Sequence, residues 1–390
     1  MVSPTAGPAE MKNSVTVVGR YYNQQGGVSN VMAQLATRAS SKYRVSVAAN
    51  EYLDWNSNLH KVPVPMITKP AWAQIPSFAA AARPRVTASL PDIIHAHDPQ
   101  LIGADIYTAH SCFKGYIGGQ RLAADIPRRF LSHVFPPHVA GIMMSNLAYR
   151  SGSKIVAVSG SIKSELIREH GIAPERIHVV YNGVDLEKFK PSGRPEAKQR
   201  LSREIGVDLQ EKVVLIFVGY EFERKRLGVV LRALSSVGSD ACHLLVVGGA
   251  DTTKYRALAN ELGVQGMTTF LGHREDVPNL LRASDIFVFP TKYEAASLAI
   301  LEAAAAGLAM ITTDVAMASE VFTDGADALL VPNSDSHAAV SKSLTQLIDD
   351  RDLRLRLGDS ANALAQDFGW DSIWSQYDDI YSEALSRKKR

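Results

Sequence analysis

The stretch DIFVFPTKYEAASLAILEAAAAGLAMITT, residues 285–313, predicts a strand, a helix and a second strand. Asp285–Phe289 is a short apolar run that ends at a proline, and Leu298–Ala306 is rich in alanine and leucine. Gly307 ends the helix, since glycine is common just past a helix terminus, and Leu308–Thr312 is the second apolar run. Two strands joined through a helix usually lie parallel in one sheet. This stretch therefore predicts an α/β unit.

The same alternation of strands and helices runs through the rest of the chain. The other predicted strands are Ser14–Val18, Arg44–Ala48, Asp92–His95, Ile106–Thr108, Lys154–Val158, His178–Tyr181, Lys212–Val218, His243–Val247, Thr268–Leu271 and Ala328–Val331. A polar stretch near Pro191–Pro195 separates two groups of strands. We predict the α/β class, with two doubly wound, Rossmann-like domains. Because ligands bind beyond the carboxyl ends of such strands, we expect the domains to face each other across a cleft.

The domain boundaries follow from the linker and the last helix. We place the N-terminal domain at residues 1–190 plus 371–390, and the C-terminal domain at residues 191–370. The last predicted helix carries an aromatic stripe formed by Trp370, Trp374, Tyr377 and Tyr381. Such a stripe needs a large surface to cover it. The sequence leaves open whether the stripe packs on its own domain or crosses back onto the first.

Composition excludes several classes of protein. Of 390 residues, 46% are hydrophobic and 21% are charged, which excludes a disordered chain, a collagen-like fibre and a coiled coil. Cys112 and Cys242 are too few for a disulfide framework or a four-cysteine zinc site, and they fit a reducing cytoplasm. The first residues contain no apolar segment, so we expect no secretory signal. The longest apolar stretch, Ala295–Thr313, contains Glu302, so we predict no membrane span.

Charge is unevenly distributed along the chain. Residues 1–190 hold 20 Lys and Arg against 12 Asp and Glu, whereas residues 191–390 hold 22 against 28. The basic half either has an ordinary solvated surface or contacts an anionic lipid surface or a phosphorylated acceptor. The candidate contacts flank apolar residues in one segment: Arg121, Arg128 and Arg129 beside Ile126, Phe130 and Leu131. The alternative is a helix that packs these apolar residues inward.

Two carboxylates in the opening stretch are candidate ligand contacts. Glu294 and Glu302 are eight residues apart, which on one helix is about 12 Å of rise. That separation is too long for the paired carboxylates of a glycosidase, but it suits two ends of one extended ligand. Ser297 is the predicted N-cap, so free N–H groups at Ser297 and Leu298 suit a phosphate. The alternative is a surface Glu294 and a buried, ion-paired Glu302.

A cluster of cations follows another predicted strand. Lys212–Val218 ends at Gly219, and Arg224, Lys225 and Arg226 come shortly afterwards. Cations at the carboxyl end of a strand can neutralise a pyrophosphate leaving group without a metal. The alternative is a solvated basic turn. In either case we expect an exposed loop.

These motifs, in this order, resemble the retaining GT-B glycosyltransferases of family four. The resemblance runs from about Ser14 to Tyr381 and is most specific in the second half. It rests on Gly26-Gly27, Asn182-Gly183-Val184-Asp185, Gly219…Arg224-Lys225, Leu271-Gly272, Ser284–Pro290 and Glu294…Glu302. The run Glu294-Ala295-Ala296 departs from the commoner Glu-Gly-Phe. It resembles the variant in lipopolysaccharide core glucosyltransferases, which favours a lipid-linked or cell-envelope acceptor.

The resemblance implies an activity. A sugar passes from a nucleotide diphosphate sugar, with UDP favoured over GDP, to an acceptor hydroxyl, and the anomeric configuration is retained. The resemblance implies no metal or other cofactor, and we expect no nucleic-acid partner. Together with the basic first half, it predicts a cytoplasmic enzyme that is peripheral on the inner face of the cell membrane if the anionic partner is a lipid.

The resemblance also assigns roles to residues of the second half. Arg224 and Lys225 correspond to the cations on the donor diphosphate, and Glu294 to the residue that contacts the transferred sugar. Glu302 corresponds to the residue that accepts hydrogen bonds from the ribose. The remaining assignments are the backbone of Ser297 and Leu298 for the distal phosphate and the loop Gly272–Arg274 for the nucleobase.

In the first half the resemblance is weaker. It implies that Gly26 and Gly27 let a loop approach the diphosphate closely, and that His110 faces the donor sugar. The alternative for His110 is an ordinary loop histidine. His95 and His97 have the spacing of metal ligands, but no third ligand has convincing spacing, so we interpret them as structural.

Three other functions fit parts of the pattern. An epimerase or phosphorylase has the same two-domain fold, but a phosphorylase needs a pyridoxal phosphate lysine, and no lysine here has that context. An NAD-dependent dehydrogenase needs GxGxxG after the first strand, where this chain has YNQQGGVSN. A non-catalytic sugar-nucleotide binding protein is expected to have lost Glu294, Glu302 or Lys225, and all three are present.

Overall fold

The computed structural model describes residues 12–23, 27–114, 136–151 and 154–388. These residues fall into two compact units. Unit 1 comprises the described residues of 1–158, 162–180 and 374–390, and unit 2 comprises residues 159–161 and 181–373. Each unit has its own parallel sheet with helices between the strands, so the predicted α/β class is confirmed.

Unit 1 contains a parallel sheet of seven strands among its described residues, in the order β5-β3-β1-β6-β7-β8-β9, with β2 and β4 paired separately. The strands are β1 (Ser14–Val18), β2 (Tyr21–Tyr22), β3 (Arg44–Ala49), β4 (Glu51–Tyr52), β5 (His60–Pro63), β6 (Ile93–His97), β7 (Ile106–Ala109), β8 (Lys154–Ala157) and β9 (Ile177–Val179). The helices are α1 (Gly27–Ala39), α2 (Gln74–Thr87), α3 (Pro136–Ser151) and α4 (Gly160–His170), of which α4 starts in unit 2. The strand order reverses at β1, as in a doubly wound sheet.

Unit 2 contains a six-stranded parallel sheet in the order β12-β11-β10-β13-β14-β15. The strands are β10 (Val213–Val218), β11 (Cys242–Val247), β12 (Thr268–Gly272), β13 (Ile286–Phe289), β14 (Ala309–Thr313) and β15 (Leu329–Val331). The helices are α5 (Arg194–Ile205), α6 (Leu227–Val237), α7 (Thr253–Glu261), α8 (Val277–Arg282), α9 (Leu298–Ala305), α10 (Met317–Val321), α11 (His337–Asp349) and α12 (Arg351–Ala365). This order reverses between β10 and β13.

The continuous apolar strands form because both faces of each sheet are covered. In β10 the side chains of Val214–Phe217 are fully buried, and the strand pairs in register with β11, Val213 beside Cys242 and Val218 beside Val247. The predicted strands agree with the observed ones to within two residues. The short strands β2, β4 and β5 were not predicted, because two to four partly polar residues give no clear pattern.

The border between the units differs from the predicted one. Residues 181–190 belong to unit 2 rather than to the N-terminal domain. Val184 donates its N–H to the Phe368 carbonyl oxygen at 2.9 Å, and Val184 and Phe189 are buried in the unit 2 core. Residues 159–161 also join unit 2, because the Glu320 carboxylate accepts the N–H groups of Gly160 and Ser161 at 2.7 and 2.6 Å.

The last helix, α13 (Trp370–Lys388), begins in unit 2 and continues in unit 1 from Trp374 onward. Within unit 1, the Tyr381 hydroxyl lies 2.7 Å from His95 Nδ1, and the Tyr377 hydroxyl lies 3.1 Å from the Thr108 hydroxyl. The C-terminal part of the stripe therefore crosses onto the first sheet, whereas Trp370 packs beside Gly183 in unit 2. Within the described parts of the chain, no helix combines the length and apolar character needed to cross a membrane.

Candidate functional site

The carboxyl ends of β10, β11 and β13 meet at one edge of the unit 2 sheet, with β10 in the middle. Glycines at this edge allow neighbouring backbone segments to pack closely. Gly248 has φ of 152°, and a Cβ added there would overlap the carbonyl oxygen of Gly219. A Cβ added to Gly219 would in turn overlap the Lys225 side chain. Glycine at position 219 therefore leaves room for the lysine to lie against the end of the sheet.

Lys225 is half-buried, which corrects the expected exposed loop. Its ammonium group lies 4.8 Å from the centre of the Phe289 ring, and its alkyl chain packs beside Gly219. Burial lowers the pKa of Lys225, although the nearby charge of Glu294 acts in the opposite direction. Within the described residues no carboxylate lies at ion-pair distance from Lys225, so a partly desolvated cation is left without an anionic partner.

Arg224 joins the two loops in which the candidate residues lie. Its Nη1 donates to the Glu294 carboxylate at 3.1 Å, and its Nη2 donates to Glu221 at 2.6 Å. Burial alone lowers the pKa of Arg224, but the two carboxylates outweigh it and raise the pKa. The structure therefore brings Arg224 and Glu294 together. Arg226 is separate from this set, because its Nε lies 2.8 Å from the Asp335 carboxylate.

Glu302 lies in α9, and its carboxylate has no hydrogen-bond or ion-pair partner among the described residues. The predicted alternative, a buried ion pair, therefore does not apply to these residues. The surrounding protein desolvates the carboxyl group and raises the pKa of Glu302 to about 7, while the charges of Lys188 and Lys225 act to lower it.

The start of α9 offers free backbone N–H groups between the two glutamates. Ser297 occupies the N-cap position with an extended backbone, as predicted, but its hydroxyl makes no capping hydrogen bond. The first-turn N–H groups of a helix have no partners within the helix. Because the Ser297 hydroxyl does not bond to them, the N–H groups from Leu298 onward have no side-chain cap. The preceding loop is held by Asn182, whose Nδ2 donates to the Ala296 carbonyl oxygen at 3.0 Å. This arrangement suits an anion.

The loop Gly272–Arg274 follows β12 at the same sheet edge. Gly272 has φ of 69°, which favours glycine. The Arg274 guanidinium forms a two-pronged pair with Asp276 at 2.7 and 2.8 Å and also contacts Glu204. Hydrogen bonds to Asp276 and Glu204 raise the pKa of Arg274. Its side chain thus stabilises the loop, and the contact of this loop with the nucleobase stays a prediction.

In unit 1, His110 follows β7 and is buried. Its Nε2 lies 2.9 Å from His97 Nδ1, and its backbone N–H donates to Asp98 at 3.0 Å. Burial lowers the pKa of His110, and the charge of Asp98 partly offsets this. His95 bonds Tyr381 and Thr108 through its two ring nitrogens, as expected of a structural histidine.

Of the two glycines predicted to let a loop approach the diphosphate, Gly27 is the first residue of α1 and is exposed. Among the described residues, a Cβ added to Gly27 meets no atom within 4 Å, so these residues do not require glycine there. Gly26 and the basic segment with Arg121, Arg128 and Arg129 lie outside the described residues. Among the residues that are described, no cluster of three or more His, Cys, Asp and Glu side chains has an arrangement that could hold a metal ion.

Two family models match adjacent parts of this chain. The model described as Glycosyltransferase Family 4 matches residues 25–188, and the model described as Glycosyl transferases group 1 matches residues 198–363. Together they span most of the chain, one match for each half. The chain belongs to the family-four glycosyltransferases.

Curated relatives of this family-four glycosyltransferase share its sequence over part of their length. The D-inositol 3-phosphate glycosyltransferase of Corynebacterium kroppenstedtii is 30% identical over 249 residues, which are 61% of this chain and 54% of the relative. The protein of the same name from Streptomyces scabiei is 28% identical over 271 residues, 65% of this chain and 59% of the relative. The chain thus spans little more than half the length of the curated relatives it matches.

Solved structures show the same fold at low identity. WaaG, a glycosyltransferase involved in lipopolysaccharide biosynthesis, has a TM-score of 0.81 at 21% identity, covering 94% of this chain and 99% of its own. Anabaena HepE in complex with UDP and glucose has a TM-score of 0.73 at 18% identity, covering 95% of this chain and 100% of its own. The predicted GT-B fold is confirmed.

Sequence reasoning on this glycosyltransferase missed Arg20. Arg20 follows β1 and borders a cavity of about 130 Å³ in unit 1, together with Ser29, His97, Asp98 and Gln100. Within the described residues no carboxylate pairs with the Arg20 guanidinium, whose Nη1 bonds the amide oxygen of Gln74 at 3.1 Å. Arg20 follows β1 after the single residue Gly19, and this position near the end of a strand is the sequence signal that could have identified it.

The raised pKa of Glu302 makes stability depend on pH. Because the folded protein holds this proton more tightly than the unfolded chain, the contribution is fully present below the ordinary pKa of 4.5 and is lost as pH rises through about 7. Glu302→Gln stays neutral at every pH. We expect the melting temperature of Glu302→Gln to rise relative to the wild type between pH 5 and pH 8, measured by calorimetry.

The matched control for this titration is Glu211→Gln, because Glu211 is exposed. Its difference from the wild type should not change with pH. A difference for Glu302→Gln that is equally independent of pH would contradict the raised pKa.

Proposed function

We propose that this family-four glycosyltransferase transfers a sugar from a nucleotide diphosphate sugar, in the first place a UDP-sugar, to an acceptor hydroxyl, with retention of the anomeric configuration. One observation carries the proposal. At the carboxyl edge of the unit 2 sheet, Arg224 contacts Glu294 at 3.1 Å, while Lys225 and Glu302 are partly desolvated and have no ion-pair partner in the described part of the chain.

Along the chain, the start of α9 lies between Glu294 and Glu302, and this order of carboxylate, phosphate site and carboxylate suits the sugar, diphosphate and ribose of a donor. Glu294 suits the hydroxyls of the sugar, the cations Arg224 and Lys225 suit the diphosphate, and Glu302 suits the ribose hydroxyls. The uncapped first turn of α9 adds N–H donors to a phosphate oxygen. A diphosphate beside Lys225 supplies the anion that this ammonium group lacks in the protein.

Charge stabilisation explains how these residues act on the reaction. As the bond between the sugar C1 and the diphosphate oxygen breaks, negative charge grows on the diphosphate. Arg224, Lys225 and the helix N–H groups are already positioned to stabilise it, so little reorganisation is needed. We keep the expectation that these groups, rather than a metal, neutralise the leaving group.

Retention follows from attack on the face that the diphosphate leaves. The acceptor oxygen forms a bond to C1 on that face, the bond from C1 to the diphosphate oxygen breaks, and a donor phosphate oxygen takes the acceptor proton. We favour this route because we assign no protein nucleophile to the opposite face. The placement of His110 beside the transferred sugar, which the resemblance implies, belongs to the same proposal.

The comparisons support the choice of donor and acceptor class. HepE was solved with UDP and glucose, which supports UDP here. The curated relatives are named for D-inositol 3-phosphate, which carries an anionic phosphate beside its hydroxyls, and this supports an anionic acceptor. Arg20, which borders a cavity in unit 1 and has no carboxylate partner among the described residues, suits an anionic group. We propose an anionic hydroxyl acceptor, in lipid-linked or cell-envelope form.

The direct test is release of UDP from a UDP-sugar panel, with and without added acceptors. UDP release that requires an acceptor supports transfer, and binding without any turnover favours a non-catalytic sugar-nucleotide protein.

Lys225→Ala should lower turnover by about 10²–10³-fold, the scale of losing one transition-state donor. Lys342→Ala, an exposed lysine on α11, is the matched control. Full activity of Lys225→Ala at an unchanged melting temperature would remove the leaving-group role.

The two glutamates should separate donor binding from transfer. Glu302→Ala should weaken binding of UDP alone, because it removes the acceptor for the ribose hydroxyls. Glu294→Ala should leave UDP affinity within about twofold yet depress transfer; Arg224 keeps its second partner, Glu221. Titration calorimetry with UDP measures both variants. Equal losses of UDP affinity would mean that the ligand lies the other way round or elsewhere.

The proposal also concerns where in the cell the enzyme acts. We propose a cytoplasmic enzyme whose basic segment meets an anionic inner membrane surface, each cation contributing about 1 kcal/mol. The protein should co-sediment with phosphatidylglycerol vesicles at low salt and not with phosphatidylcholine vesicles, and binding should fade as salt shortens the screening length. Arg128→Glu with Arg129→Glu should abolish it while UDP still binds. No sedimentation at low salt would favour an acceptor free in solution.

A further inference from the structure

Three histidine rings lie in a row inside unit 1. His95 and His97 are on β6, with ring centres 4.6 Å apart, and His110 follows the neighbouring strand β7. The rings of His97 and His110 are nearly parallel, with centres 5.2 Å apart and planes inclined by 16°. His97 Nδ1 and His110 Nε2 are 2.9 Å apart, which is a hydrogen bond.

The row is anchored at its far end. His95 is held through both ring nitrogens, by the Tyr381 hydroxyl at 2.7 Å and the Thr108 hydroxyl at 2.8 Å. Tyr381 belongs to α13, so the last helix fixes the first ring of the row. His95 supports one face of His97, and this arrangement fixes the plane that His97 presents to His110.

Both rings of the hydrogen-bonded pair are neutral at physiological pH. Burial lowers the pKa of His97 well below its usual value, and the neighbouring rings of His95 and His110 lower it further. Burial also lowers the pKa of His110, although Asp98 opposes this. Each ring therefore carries one proton, and the shared hydrogen bond couples the positions of the two protons.

The Nε2 atom of His97 indicates which of the two rings donates the hydrogen bond between His97 and His110. Nε2 of His97 is sealed from solvent and has no hydrogen-bond partner in the described structure. A buried N–H without an acceptor is rarer than an acceptor left unpaired. The His97 proton therefore belongs on Nδ1, which donates to His110 Nε2, and the remaining proton of His110 then lies on its Nδ1.

We propose that His97 is a positioning residue that fixes the ring plane and the tautomer of His110, so that His110 presents an Nδ1–H donor. A donor at this position suits an oxygen of the transferred sugar. The inference rests on the proposed function for its catalytic consequence, but the tautomer itself is a property of unit 1 alone.

Two substitutions at His97 test the direction of the bond. An asparagine amide nitrogen lies close to the position of histidine Nδ1, whereas a glutamine amide nitrogen lies close to that of Nε2. His97→Asn therefore keeps a donor toward His110, and His97→Gln removes it. Imidazole ¹⁵N shifts of the full-length protein, with the His110 signal assigned from His110→Phe, report which nitrogen of His110 carries the proton.

The expected spectrum shows His110 protonated at Nδ1 in the wild type and in His97→Asn, with loss of the single tautomer in His97→Gln. A wild-type His110 protonated at Nε2 overturns the proposal. This measurement needs no substrate, so it stays decisive if the proposed transfer reaction is wrong. It also stays readable in the wild type if His97→Gln does not fold.

Activity supplies the second arm of the test. If the wild type transfers sugar, kcat of His97→Gln should fall about 10- to 100-fold, the scale of a misplaced catalytic group, and His97→Asn should recover to within about threefold. KM for the UDP-sugar and UDP affinity should stay near the wild-type values, since unit 2 is unchanged. Equal kcat in His97→Gln and the wild type overturns the positioning role. A wild-type protein that transfers no sugar contradicts the proposed function but leaves the tautomer proposal to the NMR measurement.

Discussion

The ion pair between Arg224 and Glu294 ties together two loops that follow different strands of the unit 2 sheet. Arg224 comes after β10 and Glu294 after β13, and their side chains meet at 3.1 Å. The backbone repeats the link, because the Lys292 N–H donates to the Arg224 carbonyl oxygen at 3.0 Å. Lys225 and the start of α9 follow in these two loops, so the candidate donor site depends on the side-chain pair and the backbone hydrogen bond together.

Two charged groups beside this contact have no ion-pair partner among the described residues, and they are the basis of the proposed donor site. Lys225 and Glu302 are both partly desolvated, which lowers the pKa of the first and raises the pKa of the second to about 7. A half-buried ion without a partner destabilises the free protein. A ligand with an anionic middle and hydroxyl groups at its end offsets both penalties. In this respect the site resembles other functional sites, where shifted pKa values cluster.

The strands could be predicted from the sequence because parallel strands are continuous apolar runs, and candidate site residues could be chosen because ligands bind beyond the strand ends. Arg224, Glu294 and the start of α9 were chosen in this way, and the structure brings Arg224 and Glu294 together. The burial of Lys225 was missed, since it depends on how Gly219 packs in three dimensions. The partners of Arg274 were missed because Glu204 lies far away in the sequence. His97 was interpreted as structural, since its bond to His110 forms only when two neighbouring strands align.

The central claim is that UDP binds at the carboxyl edge of the unit 2 sheet, and hydrogen–deuterium exchange of the full-length protein with saturating UDP tests it most directly. The account predicts slower exchange of backbone amides in residues 219–226 and 291–302, with no change in α11. Protection confined to unit 1, or none in these two segments when UDP is shown to be bound, would contradict it.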